Sequence, residues 1–249
     1  MIVTGLVLLA IGIADIARQF LRGRVLRFVL AMAAVAVIVL AALTAAPLAG
    51  LFAVAMAVVW VWVFPSDARA KAGFWPAVAL AVVCIVFVAI LGPRADAGIL
   101  GAVWDIPTPW GALSVDHTLL LVGAVCVLLE SGNVIVRAAL ASEMPASVPS
   151  SADPADPGDP LIAAPVPTLK GGRLIGPLER VIVFALTLTG VYALLAAVLA
   201  AKGIVRFPEI SRDGDTGSRA EYFLIGSLVS WVVALAAAFL VWWALSGVA

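Results

Sequence analysis

The chain has 249 residues, of which 64 % are hydrophobic and 12 % charged, and its 15 basic residues balance 15 acidic ones. A soluble domain is roughly half apolar and a quarter charged. With a mean hydropathy of +1.18 there is too little polar sequence to cover a globular surface, and a soluble fold is excluded. Zero net charge leaves no bulk attraction for nucleic acid.

The composition supports an all-α, polytopic helical membrane protein with about seven transmembrane helices, since helices and closed barrels alone satisfy the backbone in lipid. The first predicted span, Ile2 to Ala17, is short and carries Asp15 near its end. Signal peptides put positive charge before the apolar stretch. Here Arg18, Arg22, Arg24 and Arg27 follow it, so the segment reads as a retained anchor. Phe28 to Ala46 and Leu48 to Phe64 come next, joined at Pro47 into a tight helical hairpin, and Trp75 to Leu91 is their neighbour. The stretch from Pro93 to Asp116 holds Trp104, Pro107, Pro109 and Trp110 and reads as an interfacial loop with aromatic anchors, with a re-entrant dip at Ile99 to Trp104 left open.

The fifth span, Thr118 to Leu140, includes Glu130, Asn133 and Arg137. Residues 143–170 are rich in Pro, Ala, Ser and Asp, with prolines at 145, 149, 154, 157, 160, 165 and 167, and are expected to be a disordered linker. It divides a five-span region, 1–142, from a two-span hairpin module, 171–249. The module's spans are Val181 to Ala201, bracketed by Arg180 and Lys202, and the uncharged Phe223 to Leu245. A span of 21 residues rises about 31 Å, one bilayer.

With the N-terminus outside, ten cations fall on the cytoplasmic side (Arg18, Arg22, Arg24, Arg27, Arg69, Lys71, Arg137, Lys170, Arg173 and Arg180) and five outside (Arg94, Lys202, Arg206, Arg212 and Arg219). That ratio predicts N-out and C-in. High alanine and valine with arginine dominating lysine hint at a GC-rich bacterial genome, hence a multi-pass protein of the bacterial inner membrane.

Few residues carry chemistry. Cys84 and Cys126 sit singly in apolar runs and read as small core hydrophobes. His117 is the one histidine, so a His-rich metal centre is ruled out. Ser227 follows Gly226 without the G-x-S-x-G of a serine hydrolase. No catalytic residue, metal site or cofactor is expected.

Three polar groupings need a reason to exist in lipid. Glu130, Asn133 and Arg137 lie at i, i+3 and i+7, one helical face; they form either a polar pathway or an internally neutralised packing seam. Lys170, Arg173 and Arg180, around Gly171, Gly172 and Gly176, are a candidate anion- or lipid-binding entrance at a helix N-terminus. The alternative is a glycine turn with Pro177 in the first helical turn and the arginines as interfacial anchors. Lys202 and Arg206 are four apart, and Glu221 is expected to pair with either and close the hairpin.

Gly172-Arg173-Leu174-Ile175-Gly176, Leu178-Glu179-Arg180, Ala200-Ala201-Lys202 with Arg206-Phe207, and Ala220-Glu221-Tyr222-Phe223-Leu224-Ile225-Gly226-Ser227-Leu228 resemble the C-terminal part of a bacterial membrane family, the domain of unknown function 3307 family. That family opens on a His- and Asp-containing first helix, which Met1-Ile2-Val3-Thr4-Gly5 is not. The resemblance therefore implies a shared two-helix module over about a quarter of the chain, and no activity.

The reading that follows is a non-enzymatic membrane subunit or scaffold whose partners are the lipid bilayer and another membrane protein. The alternatives are a small-molecule or ion transporter using Glu130, Asn133 and Arg137, and a lipid-handling membrane enzyme using the Lys170 to Arg180 entrance.

Overall fold

The computed structural model describes residues 1–64, 73–92, 94, 97–104, 106–108, 111–143, 172–211 and 218–246. The described residues are almost all helical: α1 Ile2–Phe20, α2 Gly23–Leu43, α3 Pro47–Val63, α4 Trp75–Leu91, α5 Gly98–Val103, α6 Val115–Cys126, α7 Gly132–Glu143, α8 Gly172–Leu188, α9 Tyr192–Ser211 and α10 Ser218–Leu245. A π-helical segment, Val127–Ser131, joins α6 to α7 into one continuous rod. The exception is a small antiparallel hairpin, β1 Ile106–Thr108 with β2 Gly111–Leu113.

Among the described residues four helices are long and apolar enough to cross a membrane: Ile2–Phe20, Gly23–Leu43, Val115–Ala141 and Leu224–Leu245. Pro47–Val63 and Trp75–Leu91 are equally apolar but have only 17 residues each.

The first helix is the axis of the bundle. Its apolar window is 72 % buried, against 11 % for that of α2, because it is enclosed by α6, α3, α2 and α4. Glycines set its closest contact. A Cβ at Gly5 would stand 2.8 Å from the Leu120 backbone nitrogen, one at Gly12 2.7 Å from the Cys126 carbonyl carbon, and one at Gly123 2.6 Å from the Gly5 carbonyl oxygen. Without side chains at these points the two backbones touch, as small residues permit in membranes. The pairing of 5 with 120 and 12 with 126 makes α1 and α6 parallel.

The outer helices show apolar stripes: Phe28, Met32, Val35 and Val39 on α2, and Leu228, Val232, Leu235, Phe239 and Trp242 on α10, all exposed. Continuous apolar faces of this kind suit lipid rather than water.

The hairpin at Pro47 is present. The Thr44 hydroxyl donates to the Leu40 and Ala41 carbonyls at the end of α2, Pro47 occupies the first turn of α3, and Gly50 packs on Ala41 and Ile38. The Ile99 to Trp104 stretch falls on the short helix α5 and its C-cap Trp104, with Ile99 and Val103 exposed and Gly98 seated against the Leu43 carbonyl. The 143–170 linker lies outside the described residues, except for Glu143, which ends α7.

One expected span is corrected. The run Val181 to Ala201 is not a single helix, because α8 stops at Leu188 and Gly190 turns the chain with φ +72° before α9 starts at Tyr192. In a straight helix Glu179 and Lys202 would be about 34 Å apart; their charged groups are 2.6 Å apart. The segment therefore folds back on itself as a helical hairpin with Gly190 at its tip. A second difference is at the start of α8, where Pro177 sits inside the helix and Gly172 begins it, instead of Pro177 lying in the first turn.

A side chain at Gly190 is strained in the left-handed region. Gly190→Ala is expected to cost about 1–2 kcal/mol, read as a lower thermal midpoint in detergent. An unchanged midpoint would mean that the turn is not made there.

Candidate functional site

Polar side chains gather at the two ends of the bundle. At the Met1 end Arg94 is the hub. Its Nε and Nη2 donate to Asp116 Oδ2 and Oδ1 at 3.0 and 2.8 Å, and its Nη1 donates to the Thr44 carbonyl at 2.9 Å. Asp116 lies in the first turn of α6 and Thr44 caps the end of α2. A carboxylate at a helix start and a guanidinium at a helix end both suit the helix dipoles, so this bidentate pair holds three chain segments together. The Trp104 indole N–H donates to Thr118 Oγ1 at 3.2 Å, and the Ser114 hydroxyl caps α6.

At the other end of α1, Asp15 is only 3 % exposed. It accepts from Arg18 Nη1 at 3.1 Å and from the Trp60 indole N–H at 2.9 Å. Arg18 Nη2 donates to the Phe64 carbonyl at the end of α3. One carboxylate, one cation and one indole thus lock α1 to α3.

The same recipe recurs in the C-terminal part. Glu179 on α8 accepts from the Lys202 ammonium through both oxygens at 2.6 Å and from the Trp231 indole N–H of α10 at 2.7 Å. The ammonium also stands 5.4 Å from the Trp231 ring centre, within cation–π range. This cluster ties both arms of the α8–α9 hairpin to α10.

Arg180, one residue further on, is the largest fully buried side chain among the described residues. Its Nε donates to the Leu128 carbonyl at 2.8 Å, its Nη2 to Asn133 Oδ1 at 2.7 Å, and its Nη1 reaches Ser230 Oγ at 3.5 Å. The π segment makes the first of these bonds available. In an α-helix the Gly132 N–H would bond to Leu128, but here it donates to the Val127 carbonyl, which releases the Leu128 oxygen for the guanidinium. Gly132 also provides the space, since a Cβ there would lie 2.5 Å from Arg180 Nε.

Asn133 relays the interaction. Its oxygen faces the guanidinium, and its Nδ2 donates to Glu130 Oε2 at 3.1 Å, the only amide orientation that satisfies both neighbours. Arg137 completes the group, 3.7 Å from Glu130 Oε1 with its Nε on the Asn133 carbonyl at 3.2 Å, while most of its side chain is exposed. Because α1 and α6 are parallel, Asp15 stands level with Glu130 and Ser131, and Asn133 and Arg180 extend this polar layer from there to α8.

The structure therefore gathers Glu130, Asn133 and Arg137 on one face and adds Arg180 to them. Of the proposed anion entrance, Lys170 and the Arg173 side chain lie outside the described residues, and Arg180 points into the protein. Of the proposed hairpin ion pairs, Lys202 meets Glu179, Glu221 is exposed, and the Arg206 side chain lies outside the described residues. Sequence reasoning overlooked Trp60, Trp231, Ser230 and the Arg94–Asp116 pair. The available signal was a tryptophan within an apolar run, a residue that needs an acceptor for its N–H once buried.

No protein-family model, curated protein or solved structure matches the chain.

Proposed function

We propose that the chain is a multi-pass protein of the bacterial inner membrane that serves as a non-catalytic subunit or scaffold. The observation that carries this reading is how the buried charges are used. The buried Asp15, Asp116, Glu130 and Arg180 and the partly buried Glu179 each hydrogen-bond to a side chain or backbone group of the protein, and most of these bonds run between helices. Intramembrane ionisable groups are costly; here they are spent on fixing helix positions. The likeness of the C-terminal part to the domain of unknown function 3307 family belongs to this reading and rests on its motif residues alone.

In this reading α1, α2, α3, α4, the α6–α7 rod and α10 cross the bilayer, and the α8–α9 hairpin enters and leaves on one side. Seventeen residues, the length of α3 and α4, are at the lower limit for a crossing. With the N-terminus outside, the hairpin moves Lys202, Arg206, Arg212 and Arg219 to the cytoplasm, so that fourteen of the 15 cations are inside and Arg94 alone is outside. The positive-inside rule favours this over the ten-to-five split. One crossing fewer also puts the C-terminus outside, not inside.

Co-purification from the native membrane in mild detergent, followed by mass spectrometry, tests the subunit role. A stoichiometric membrane-protein partner is expected, and a chain that purifies alone contradicts the reading.

A transporter is the second reading, favoured by the π segment that carries Glu130, since such segments often mark functional sites. It requires Glu130→Gln to abolish flux while leaving the fold intact.

A further inference from the structure

The neutral layer around Asp15 accounts for Arg18 but not for the arginines that follow it. Arg22, Arg24 and Arg27 are exposed at the start of α2 and make no hydrogen bond or ion pair among the described residues. Beside them a cleft of about 140 Å³ opens between α1, α2 and α3, with walls that include Ala10, Ala14, Leu30, Ala33, Ala34 and Ala57. Alanines on all three helices, with Leu30 and the valines of α2 and α3 beside them, give the cleft a wholly apolar lining.

Its position is set by helical spacing. Leu30 and Ala34 are three and seven residues beyond Arg27, hence on the same face of α2, with Arg24 one turn further back. Helical side chains lean toward the N-terminus, so the Arg27 and Arg24 side chains continue this face beyond Leu30, the first residue of α2 in the cleft wall. Phe20 and Phe28 are exposed beside them, as aromatic side chains are at a headgroup boundary.

We propose that this cleft binds one anionic glycerophospholipid, with a segment of an acyl chain along its apolar walls and the phosphate group against Arg24 and Arg27. The volume selects a chain over a partner helix. A helix is about 10 Å across with its side chains, far too wide, whereas an apolar space of roughly 150 Å³ takes up about six hydrocarbon carbons, one segment of an acyl chain whose remainder lies in the bilayer. The charge selects the headgroup, because two exposed guanidinium groups complement a phosphate that carries net negative charge. This inference goes beyond the subunit reading and needs only that the chain sits in a bilayer.

The test is native mass spectrometry of the full chain in mild detergent, with added phosphatidylglycerol or phosphatidylethanolamine. One retained phosphatidylglycerol per chain is expected, with little phosphatidylethanolamine. Arg24→Gln combined with Arg27→Gln alters exposed positions only and should lower that occupancy on the order of tenfold, and Ala34→Phe, which fills the cleft, should do the same. Equal retention of both lipids, or occupancy unchanged in the double arginine variant, overturns the proposal. Whether a protein partner co-purifies has no bearing on either outcome.

Discussion

Arg180→Met is expected to lower the stability of the protein by about 3–5 kcal/mol, the range for removing one partner from a buried charged network. The methionine fills similar volume, so the loss is not one of packing. It leaves the Leu128 carbonyl and Asn133 Oδ1 without their donor, and removes the cation that faces the Glu130 and Glu179 carboxylates. Arg180→Lys keeps the charge but lacks the planar fork that reaches three acceptors, and should recover only part of the loss. Arg137→Met is the matched control. Its side chain is 65 % exposed, and such pairs contribute about 0–1 kcal/mol. Thermal midpoints in detergent give the comparison, and equal midpoints for the Arg180→Met and Arg137→Met proteins would deny Arg180 its central place.

The second large effect is expected at Gly123. A Cβ there meets backbone on α1, 2.6 Å from the Gly5 oxygen and 2.9 Å from the Leu9 nitrogen, and neither atom can move without shifting the whole helix. Gly123→Ala should cost about 1–3 kcal/mol, as overpacking does, and Gly123→Leu should prevent accumulation of folded protein by forcing α1 from the centre of the bundle. Gly203→Ala, in the open part of α9 with nothing within 4 Å, should be neutral or stabilising by up to about 1 kcal/mol through helix propensity alone. Folded yield by size-exclusion chromatography separates these cases. A Gly123→Leu protein that behaves like Gly203→Ala would mean that α1 and α6 are not in backbone contact.

The sequence makes the apolar helices legible because lipid-compatible runs are long and charge-free, and the α2–α3 hairpin because Pro47 cannot continue a helix. It does not disclose the break at Gly190. The end of one helix with the start of the next, and one full span, present the same apolar residues to lipid, and the sequence hint was only that Glu179 and Lys202 flank Gly190 at nearly equal distance. The face of Glu130, Asn133 and Arg137 is a local feature and follows from helical spacing. Its fourth member is not local. Arg180 directly precedes an apolar run, where an arginine ordinarily reaches for headgroups; its burial depends on α7 and α10 closing around it. The π segment likewise has no signature of its own, since the freed Leu128 carbonyl has a use only once α8 has packed against it.

In the proposed topology the α8–α9 segment enters the membrane and leaves on the same side, with the polar layer near the cytoplasmic surface. Cysteine accessibility in intact cells tests this most directly, using a chain with Cys84 and Cys126 replaced by alanine and a single cysteine introduced by Ala95→Cys, Ser147→Cys, Thr216→Cys or Ser246→Cys. An impermeant maleimide is expected to label the Ala95→Cys and Ser246→Cys proteins from outside, and the Ser147→Cys and Thr216→Cys proteins only after permeabilisation. Labelling of the Thr216→Cys protein from outside would show that residues 181–201 cross the bilayer, and would contradict the proposed topology.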